Sequence, residues 1–332
     1  MATAALKSSD MEISSFVEDL TRVQKALADS LRLQILRLLK NESFGVLELC
    51  RILDIRQSAL SHHLKVLSTA CLVSTRREGN SIFYRRAFLA DEDKFRDIKR
   101  STFDVVDNSP VPDKQAQKIK QIQLERAELS LSFFNRNSDK FKEQQGLIVE
   151  HGDYSASIHD IIDNLGMSSN ASVLEVGPGE GEFLVELAEK FKTLCALDNS
   201  KDMLEKSHDA AHAAQHSHVN FVLGDTGVAR DKNISADLII FNMVLHHISS
   251  PAKTFKDSAQ LLNESGYLLI IDLGSHDQDW VRESCGDLWL GFDNKDLDYW
   301  ANKAGLTTEQ SSYLGLRNGF QIQMRVFKKP AR

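Results

Sequence analysis

The 332-residue chain has few cysteines and no long apolar run. None of its four cysteines, Cys50, Cys71, Cys195 and Cys285, belongs to a CxxC pair, and such a set is typical of a protein in a reducing compartment. The N-terminus has no basic segment followed by an apolar run, so we expect no secretory signal. No apolar stretch approaches the length that spans a bilayer. These absences predict a cytoplasmic protein with no membrane partner.

Acidic residues are scarce in one segment of a chain that is acidic overall. The formal net charge is −7, yet between Asp29 and Ala90 ten lysines and arginines stand against five acids. That segment therefore carries +5 and the remainder −12. A basic module on an acidic body indicates that this module alone approaches a polyanion such as nucleic acid.

The basic segment has the pattern of three helices followed by a hairpin. Apolar residues recur with helical spacing between residues 30 and 70, and Asp29 is a suitable N-cap for the first helix. Asp54 falls at the corner between the second and third helices, where a tight turn needs a positive φ. Gly79 and Asn80 separate two short strands as a hairpin turn. This order predicts a winged helix-turn-helix.

Two sets of side chains in this segment predict contacts with DNA. In the third helix the leucines share a face that packs inward, so the opposite face points outward. That outer face carries polar or basic groups suited to base edges and phosphates, namely Gln57, Ser58, Ser61, His62 and Lys65. The hairpin adds arginines for the flanking phosphates: Arg76, Arg77, Arg85 and Arg86. A merely solvated amphipathic helix is disfavoured because pattern and charge coincide.

The segments ALADSLRLQILRLL, RQSALSHHLKVL and REGNSIFYRR resemble the ArsR-type regulators over roughly residues 15–105. The resemblance implies a homodimeric bacterial repressor that binds double-stranded operator DNA. Many members sense metal through cysteines, but the matching positions here hold Gly45 and Leu47, and Cys50 stands alone. A thiolate site needs several soft ligands, so a metal- or metalloid-responsive repressor is the least favoured hypothesis.

A glycine loop, VLEVGPGEGEFL, lies between an apolar strand and a helix in the second half of the chain. Gly177, Gly179 and Gly181 let the backbone turn sharply and leave room for a ligand. A dinucleotide fingerprint would need glycine where Glu182 stands, and an acid there disfavours a pyrophosphate. Strands and helices alternate from here on, which predicts a doubly wound parallel sheet. The tail, 320–329, alternates like an edge strand.

With Asp198 closing the next strand, this pattern resembles the class I S-adenosylmethionine-dependent methyltransferases over about residues 150–275. The resemblance implies a Rossmann-like domain with a mostly parallel seven-stranded sheet, and S-adenosylmethionine or S-adenosylhomocysteine as cofactor. It places the glycine loop under the methionine part, Asp198 on the ribose hydroxyls, Asp225 at the adenine amine and Met203 on the adenine face. The implied cofactor residues are Glu175, Gly177, Gly179, Gly181, Asp198, Met203, Asp225, Thr226 and Asn242.

Motifs for nucleobase methylation are absent from this domain. There is no Asn-Pro-Pro-aromatic motif and no Pro-Cys nucleophile, and arsenic methylation would need more cysteines than are present. The remaining possibilities are that the methyl acceptor is a small molecule or that there is no acceptor. His246 and His247 follow the fourth strand and are candidate bases, although packing is the favoured alternative.

Further aromatic and histidine residues have two interpretations each. SFFNRNSDKF resembles the helix that covers the cofactor in related enzymes, with Phe133, Phe134 and Phe141. Lining of an acceptor pocket and core packing are equally good explanations for Trp280, Trp289 and Phe292. His208, His212 and His216 would share a face of a helix and could bind a metal, but a solvent-facing helix is favoured. We therefore predict no metal site.

The sequence predicts a two-domain α/β protein. A winged helix-turn-helix domain for DNA binding and dimerisation would span 1–108, a helical linker and cofactor-covering helix 109–148, and a methyltransferase domain 149–332. The first hypothesis is a transcriptional regulator whose affinity for DNA is set by S-adenosylmethionine or S-adenosylhomocysteine. The alternative is an active methyltransferase on a small molecule with coupled DNA binding.

Overall fold

The computed structural model describes the backbone of residues 2–137 and 141–331, and their side chains except those of 2–12, 141, 142 and 144. The chain divides into two compact units, Met1–Ile122 (unit 1) and Gln123–Arg332 (unit 2). This boundary falls inside the predicted linker, and the exact domain limits remain a prediction. No described helix has the length and apolar character needed to cross a bilayer.

Unit 1 is a winged helix-turn-helix, as the sequence predicts. Its strands form a three-stranded antiparallel sheet in the order β1-β3-β2, in which β2 and β3 are the wing hairpin. The strands are β1 (Phe44–Gly45), β2 (Val73–Glu78) and β3 (Ser81–Arg86). The helices are α1 (Ala2–Leu27), α2 (Ser30–Leu38), α3 (Val46–Leu53), α4 (Gln57–Thr69), α5 (Arg96–Asp107) and the first part of α6 (Asp113–Asn137).

Two aspartates fix the helix ends at which the sequence places them. Asp29 caps α2, since its Oδ1 accepts a hydrogen bond of 2.9 Å from the backbone N–H of Arg32. Asp54 ends α3 with φ of +56°, the left-handed conformation that the tight corner requires and that aspartate tolerates. Its carboxylate also pairs with Lys114 and Lys118 of α6. Both predictions are confirmed.

The prediction that Arg86 contacts DNA is wrong. Its side chain is only 8% exposed, and its guanidinium donates to the backbone carbonyl of Leu36 and pairs with Asp107 at 2.7 Å. It also lies over the ring of Phe103, with 4.4 Å from Cζ to the ring centroid. A buried arginine needs such partners, and here they tie β3 to α2 and α5.

Unit 2 is a seven-stranded, mostly parallel sheet with helices between its strands, which confirms the predicted fold class. The strand order is β6-β5-β4-β7-β8-β10-β9; the pairs among β6, β5, β4, β7 and β8 are parallel, and β10 runs antiparallel to both β8 and β9. The strands are β4 (Ser172–Val176), β5 (Thr193–Asp198), β6 (Val219–Leu223), β7 (Ala236–Asn242), β8 (Leu262–Leu273), β9 (Thr307–Gly315) and β10 (Gln321–Lys328).

The helices of unit 2 include the C-terminal part of α6 and α7 (Phe141–Gly146). The others are α8 (Ser155–Asn164), α9 (Glu182–Lys190), α10 (Lys201–Ala213), α11 (Thr226–Asp231), α12 (Pro251–Leu261), α13 (Trp280–Ser284) and α14 (Asn294–Lys303). The apolar sides of the sheet and of its flanking helices form a continuous core. Because β4 to β8 are parallel, their carboxyl ends meet at one edge of the sheet, where ligands bind in open α/β folds.

The C-terminal strand is not an edge strand, contrary to the prediction. β10 lies between β8 and β9, and β9 forms the edge of the sheet. Two of the alternating polar residues that indicated a solvent face, Gln323 and Arg325, are buried. Gln323 donates to the carbonyls of Leu273 and Phe292 at 3.1 and 2.7 Å, and Arg325 pairs with Asp298. The alternation of polarity therefore predicted the wrong exposure, because these two side chains have partners inside the protein.

Candidate cofactor and DNA sites

A cavity of about 1400 Å³ opens in unit 2 at the carboxyl ends of the parallel strands. All nine predicted cofactor residues and both candidate histidines lie on its wall. They come from β4, from the ends of β5 and β7, from the loops that follow β4, β6 and β7, and from the first turns of α10 and α11, which is where the topology of a doubly wound sheet places ligands. The structure thus brings together residues that are up to about 70 positions apart in the chain.

The glycine loop after β4 is held in a conformation that side chains disfavour. Gly177, Gly179 and Gly181 have φ of +70°, +57° and +88°, in the left-handed region that glycine adopts without a steric penalty. A Cβ atom built on Gly177 would lie 2.4 Å from Cγ2 of Val244. Both the backbone conformation and the packing therefore require glycine at position 177.

Asp198 closes β5 with its carboxylate on the wall of the cavity. Its Oδ1 accepts a hydrogen bond of 2.8 Å from the N–H of Ser200, whose hydroxyl in turn donates to Asn135 of α6 at 3.0 Å. Burial raises the pKa of Asp198 to about 6, although backbone N–H groups of Ser200 and Asn199 act in the opposite direction. The carboxylate is thus fixed in place and ionised at neutral pH.

Two buried oxygens on the same wall have no hydrogen-bond donor among the described residues. They are Oε2 of Glu175, in β4, and Oδ1 of Asn242, at the end of β7. Burial, followed by the carboxylates of Glu186 and Asp198, raises the pKa of Glu175 to about 8. Buried acceptors without donors are rare in native proteins, so the cavity is suited to a ligand that supplies donors or positive charge.

Tyr154 is a cavity residue that the sequence analysis missed. Its side chain hydrogen-bonds with Asn242, and burial raises its pKa above the ordinary value for tyrosine. It is 5% exposed and immediately precedes α8. It belongs to no motif with a fixed spacing, so only its place in the fold reveals it.

The remaining predicted cofactor residues are held by contacts within the protein. Asp225 caps α11, since its Oδ1 accepts from the N–H of Val228 at 3.0 Å. The hydroxyl of Thr226 donates to Asp257 at 3.1 Å and so serves the fold of unit 2. Met203 is 2% exposed in α10. These contacts fix the cavity wall near the ends of β5 and β6.

The two candidate histidines occupy a buried 3-10 turn after β7. Nδ1 of His246 lies 2.8 Å from Oδ1 of Asp272. Burial lowers the pKa of His246, but Asp272 and Asp287 outweigh it and raise the value to about 9. Burial and the charge of His246 lower the pKa of His247, whose ring meets that of Phe134 edge to face at 4.8 Å. At neutral pH His246 is the charged member of the pair.

The other aromatic and histidine residues singled out in the sequence lie in different parts of unit 2. Phe134 lines the cavity, whereas the side chain of Phe141 lies outside the described residues. Trp289 and Phe292 are buried beyond the residues that form the cavity wall, and Trp280 is 38% exposed. α10 ends at Ala213, so His216 does not continue the helical face of His208 and His212.

The predicted DNA-contacting residues of α4 lie on the outer face of unit 1. All five are exposed, while the leucines of the same helix are buried. On the wing, Arg77 is exposed and donates to the carbonyl of Gly79 at 2.9 Å. Arg85 donates to the hydroxyl of Ser74 at 3.1 Å, whereas Arg76 is half-buried and pairs with Glu78.

Comparison with known proteins agrees with both halves of this architecture. The model of the bacterial regulatory protein, arsR family, matches residues 29–75, and that of a methyltransferase domain matches residues 148–311. The arsenical resistance operon repressor of Staphylococcus xylosus is 32% identical over 92 residues, which cover 28% of this chain and 84% of the repressor. The chain thus combines a winged-helix regulator with a methyltransferase domain. It belongs to the ArsR family of bacterial regulatory proteins.

Relatives of the second half are longer or more distant. A polyketide synthase-nonribosomal peptide synthetase of Pyricularia grisea is 29% identical over 163 residues, or 44% of this chain, but the chain spans only 4% of that protein's length. The structure of magnesium protoporphyrin IX methyltransferase from Synechocystis PCC 6803, with bound S-adenosylhomocysteine, aligns with a TM-score of 0.51 and 16% identity. That alignment covers 61% of this chain and 99% of the other, and it concerns the fold alone.

Proposed function

We propose that this chain is a transcriptional regulator that binds operator DNA through unit 1 and S-adenosylmethionine or S-adenosylhomocysteine through unit 2. The observation that carries the cofactor assignment is the wall of the cavity, where the fixed carboxylate of Asp198 stands with the undonated oxygens of Glu175 and Asn242. These acceptors match a ligand with ribose hydroxyls and a cationic amino acid part.

Different residues of the cavity would contact different parts of the cofactor. Asp198 would accept hydrogen bonds from the ribose hydroxyls, and Asp225 would accept one from the adenine amine. Met203 would pack against the adenine ring. The glycine loop would lie against the methionine part, with Glu175 and Asn242 as acceptors for its ammonium group. When bound, S-adenosylmethionine supplies an electrophilic methyl group; S-adenosylhomocysteine lacks it and also lacks the sulfonium charge. The loss of that charge, in a cavity lined by Asp198 and Glu175, gives the site a physical basis for distinguishing the two.

The outer face of α4 and the wing suit a DNA duplex. The exposed polar side chains of α4 would read base edges, while Arg77 and Arg85 would contact phosphates. We further propose a homodimer, since α1 and α5 expose a set of large apolar side chains: Ile13 at 60%, Phe16 at 44%, Val17 at 53%, Ile98 at 38% and Val105 at 72%. Large apolar side chains that are exposed in this number on two helices suit a protein interface.

Binding of the cofactor is expected to change the affinity for DNA. Fluorescence anisotropy of a labelled duplex from upstream of the chain's own gene would be measured at one salt concentration, with protein alone, with S-adenosylmethionine and with S-adenosylhomocysteine. Coupling of about 1.4 kcal/mol shifts the dissociation constant about tenfold. Three identical curves, in the presence of bound DNA and bound cofactor, would contradict the effector role.

Replacing Arg77 with alanine is expected to weaken DNA binding about tenfold. Loss of one phosphate contact should also lower the slope of log affinity against log salt by about 1, equally for specific and unrelated duplexes. Lys94→Ala is the matched control, because Lys94 is an exposed cation of unit 1 outside α4 and the wing. Equal losses in the two variants would indicate a general charge effect and contradict a contact by Arg77.

A second function, methyl transfer to a small molecule, is favoured by the size of the cavity. At about 1400 Å³ it exceeds the roughly 300–1,000 Å³ of most small-molecule sites. Its wall extends past the proposed cofactor residues to Phe134, His247 and Ser249, which leaves room for an acceptor. Formation of S-adenosylhomocysteine when a small-molecule extract is added would support transfer, and a rate equal to that without protein would contradict it.

A further inference from the structure

Three buried side chains meet beside the cavity and resemble the donor set of a metal site. His246 and His247 follow β7, and Asp287 lies between α13 and α14; all three are at most 6% exposed. One ligand atom from each lies within 4.8 Å of the other two. Nε2 of His246 and Nδ1 of His247 are each 3.9 Å from Oδ1 of Asp287.

His246 also has the outer contacts that orient a metal ligand. Nδ1 of His246 donates to Asp272 at 2.8 Å, and the same carboxylate accepts from the N–H groups of Leu273 and His246 at 2.7 and 3.3 Å. This arrangement directs Nε2 of His246 toward Asp287. Metal-binding histidines commonly use one ring nitrogen in this way, on a carboxylate or a backbone carbonyl. Nδ1 of His247, the nitrogen near Asp287, also lies 3.3 Å from the carbonyl of Gly286, and it would exchange that contact for the metal.

We propose that His246, His247 and Asp287 bind a divalent transition-metal ion of the zinc type. Two imidazoles and one carboxylate are ligands that suit zinc, and three protein ligands with one open position are the pattern of catalytic zinc sites. Bonds of about 2.0–2.2 Å in a tetrahedral arrangement separate ligand atoms by about 3.4 Å. The two 3.9 Å separations need to shorten by about half an ångström, and the separation between the two histidine nitrogens, which is at most 4.8 Å, by up to about 1.4 Å.

The local charge favours a divalent cation. The carboxylates of Asp272 and Asp287 are fully buried within 4 Å of His246, and buried carboxylates are costly unless positive charge compensates them. One divalent ion balances both with neutral imidazoles.

The open coordination position has access to the cavity, because His246 and His247 both line it. An oxygen or nitrogen of a methyl acceptor could occupy this position and coordinate the metal. This use of the site rests on the methyl-transfer function proposed above, whereas metal binding does not. The site also differs from the cysteine positions of metal-sensing ArsR relatives, since it lies wholly in unit 2. The sequence analysis predicted no metal site from its cysteines and from His208, His212 and His216; Asp287 is remote in sequence from His246 and His247 and gave no signal.

Metal binding can be measured on the full chain without cofactor, acceptor or DNA. The purified protein would be stripped with a chelator and titrated with Co²⁺, whose visible d–d absorption reports protein ligands, and then with Zn²⁺ in competition. We expect one equivalent of Co²⁺, displaced by Zn²⁺. His247→Gln and Asp287→Asn should each lower the Co²⁺ affinity at least about tenfold, and Asp272→Asn about 10–100-fold through loss of orientation.

His208→Gln combined with His212→Gln is the matched control. These two histidines stack on α10 in the same unit, with ring centroids 6.3 Å apart, and their loss should leave the absorption unchanged. An absent band, a band that persists in Asp287→Asn, or one abolished by the control pair overturns the proposal. X-ray absorption of the Zn²⁺-loaded unmodified chain gives an answer that needs no variant to fold. Imidazole scattering without sulfur is expected, and a zinc–sulfur shell overturns the site.

Discussion

Replacing Asp198 with alanine is expected to weaken the binding of S-adenosylhomocysteine about 100-fold. The carboxylate is held by the N–H of Ser200 at the end of β5, so it would meet both ribose hydroxyls without further ordering. Hydrogen bonds to a charged group contribute about 1.5–3 kcal/mol each, and 100-fold corresponds to about 2.7 kcal/mol. One of the two hydrogen bonds is therefore enough to account for most of the expected 100-fold loss of affinity.

Calorimetric titration of S-adenosylhomocysteine would measure this loss. Asp198→Asn keeps an oxygen that can accept from Ser200 but removes the charge, so it should fall between the unmodified chain and the alanine variant. Asp209→Ala is the control, because Asp209 is 84% exposed on α10 in the same unit. Unchanged affinity in Asp198→Ala would contradict the proposed ribose contact and, with it, the cofactor assignment.

The pH dependence of binding provides a second signature of the same carboxylate. Its pKa of about 6 in the free protein means that it is ionised above that value and protonated below. The stronger acceptor is the ionised form, so affinity should be about tenfold lower at pH 5 than at pH 7, whereas any change near pH 8 belongs to Glu175. Asp198→Asn should lack this decline. An equal decline in the variant would assign it to another group.

Much of the candidate site could be predicted because its signals are local. Gly177, Asp198 and Asn242 each follow an apolar strand, and parallel strands bring their carboxyl ends to one edge. The positive φ of Asp54 could likewise be predicted from the tight turn between two helices. Each of these inferences needs only the sequence around one element and a general rule of topology.

Residues whose surroundings come from distant segments could not be predicted. Tyr154 meets Asn242 across 88 positions of chain, and Asp287 meets the histidines of the β7 turn only through the loop after α13. Arg86 counts as one more cation in the sequence, and charge alone does not distinguish an exposed arginine from one bonded to Leu36 and Asp107. The same ambiguity made the polar residues of β10 resemble a solvent face.

Glu175 is predicted to make unit 2 less stable as the pH rises. Its pKa moves from 4.5, the ordinary value, to about 8 in the folded protein. Between these values the folded state binds one more proton than the unfolded state, so the free energy of unfolding falls with increasing pH. A shift of this size corresponds to about 5 kcal/mol in total, at up to about 1.4 kcal/mol per pH unit. A cationic cofactor in the cavity would compensate the ionised carboxylate, which explains why a binding site retains so costly a group.

Glu175→Gln should abolish this dependence, because an amide does not ionise. The variant is expected to gain stability relative to the unmodified chain as the pH rises from about 5 to above 8, by up to about 5 kcal/mol. Urea unfolding without cofactor can follow unit 2 alone by tryptophan fluorescence, since all three tryptophans, Trp280, Trp289 and Trp300, belong to it. Glu189→Gln, at an exposed position of α9, should run parallel to the unmodified chain. Parallel curves for Glu175→Gln would mean that its carboxyl group ionises normally, and the case for a ligand charge at this end of the cavity would then rest on Asn242 alone.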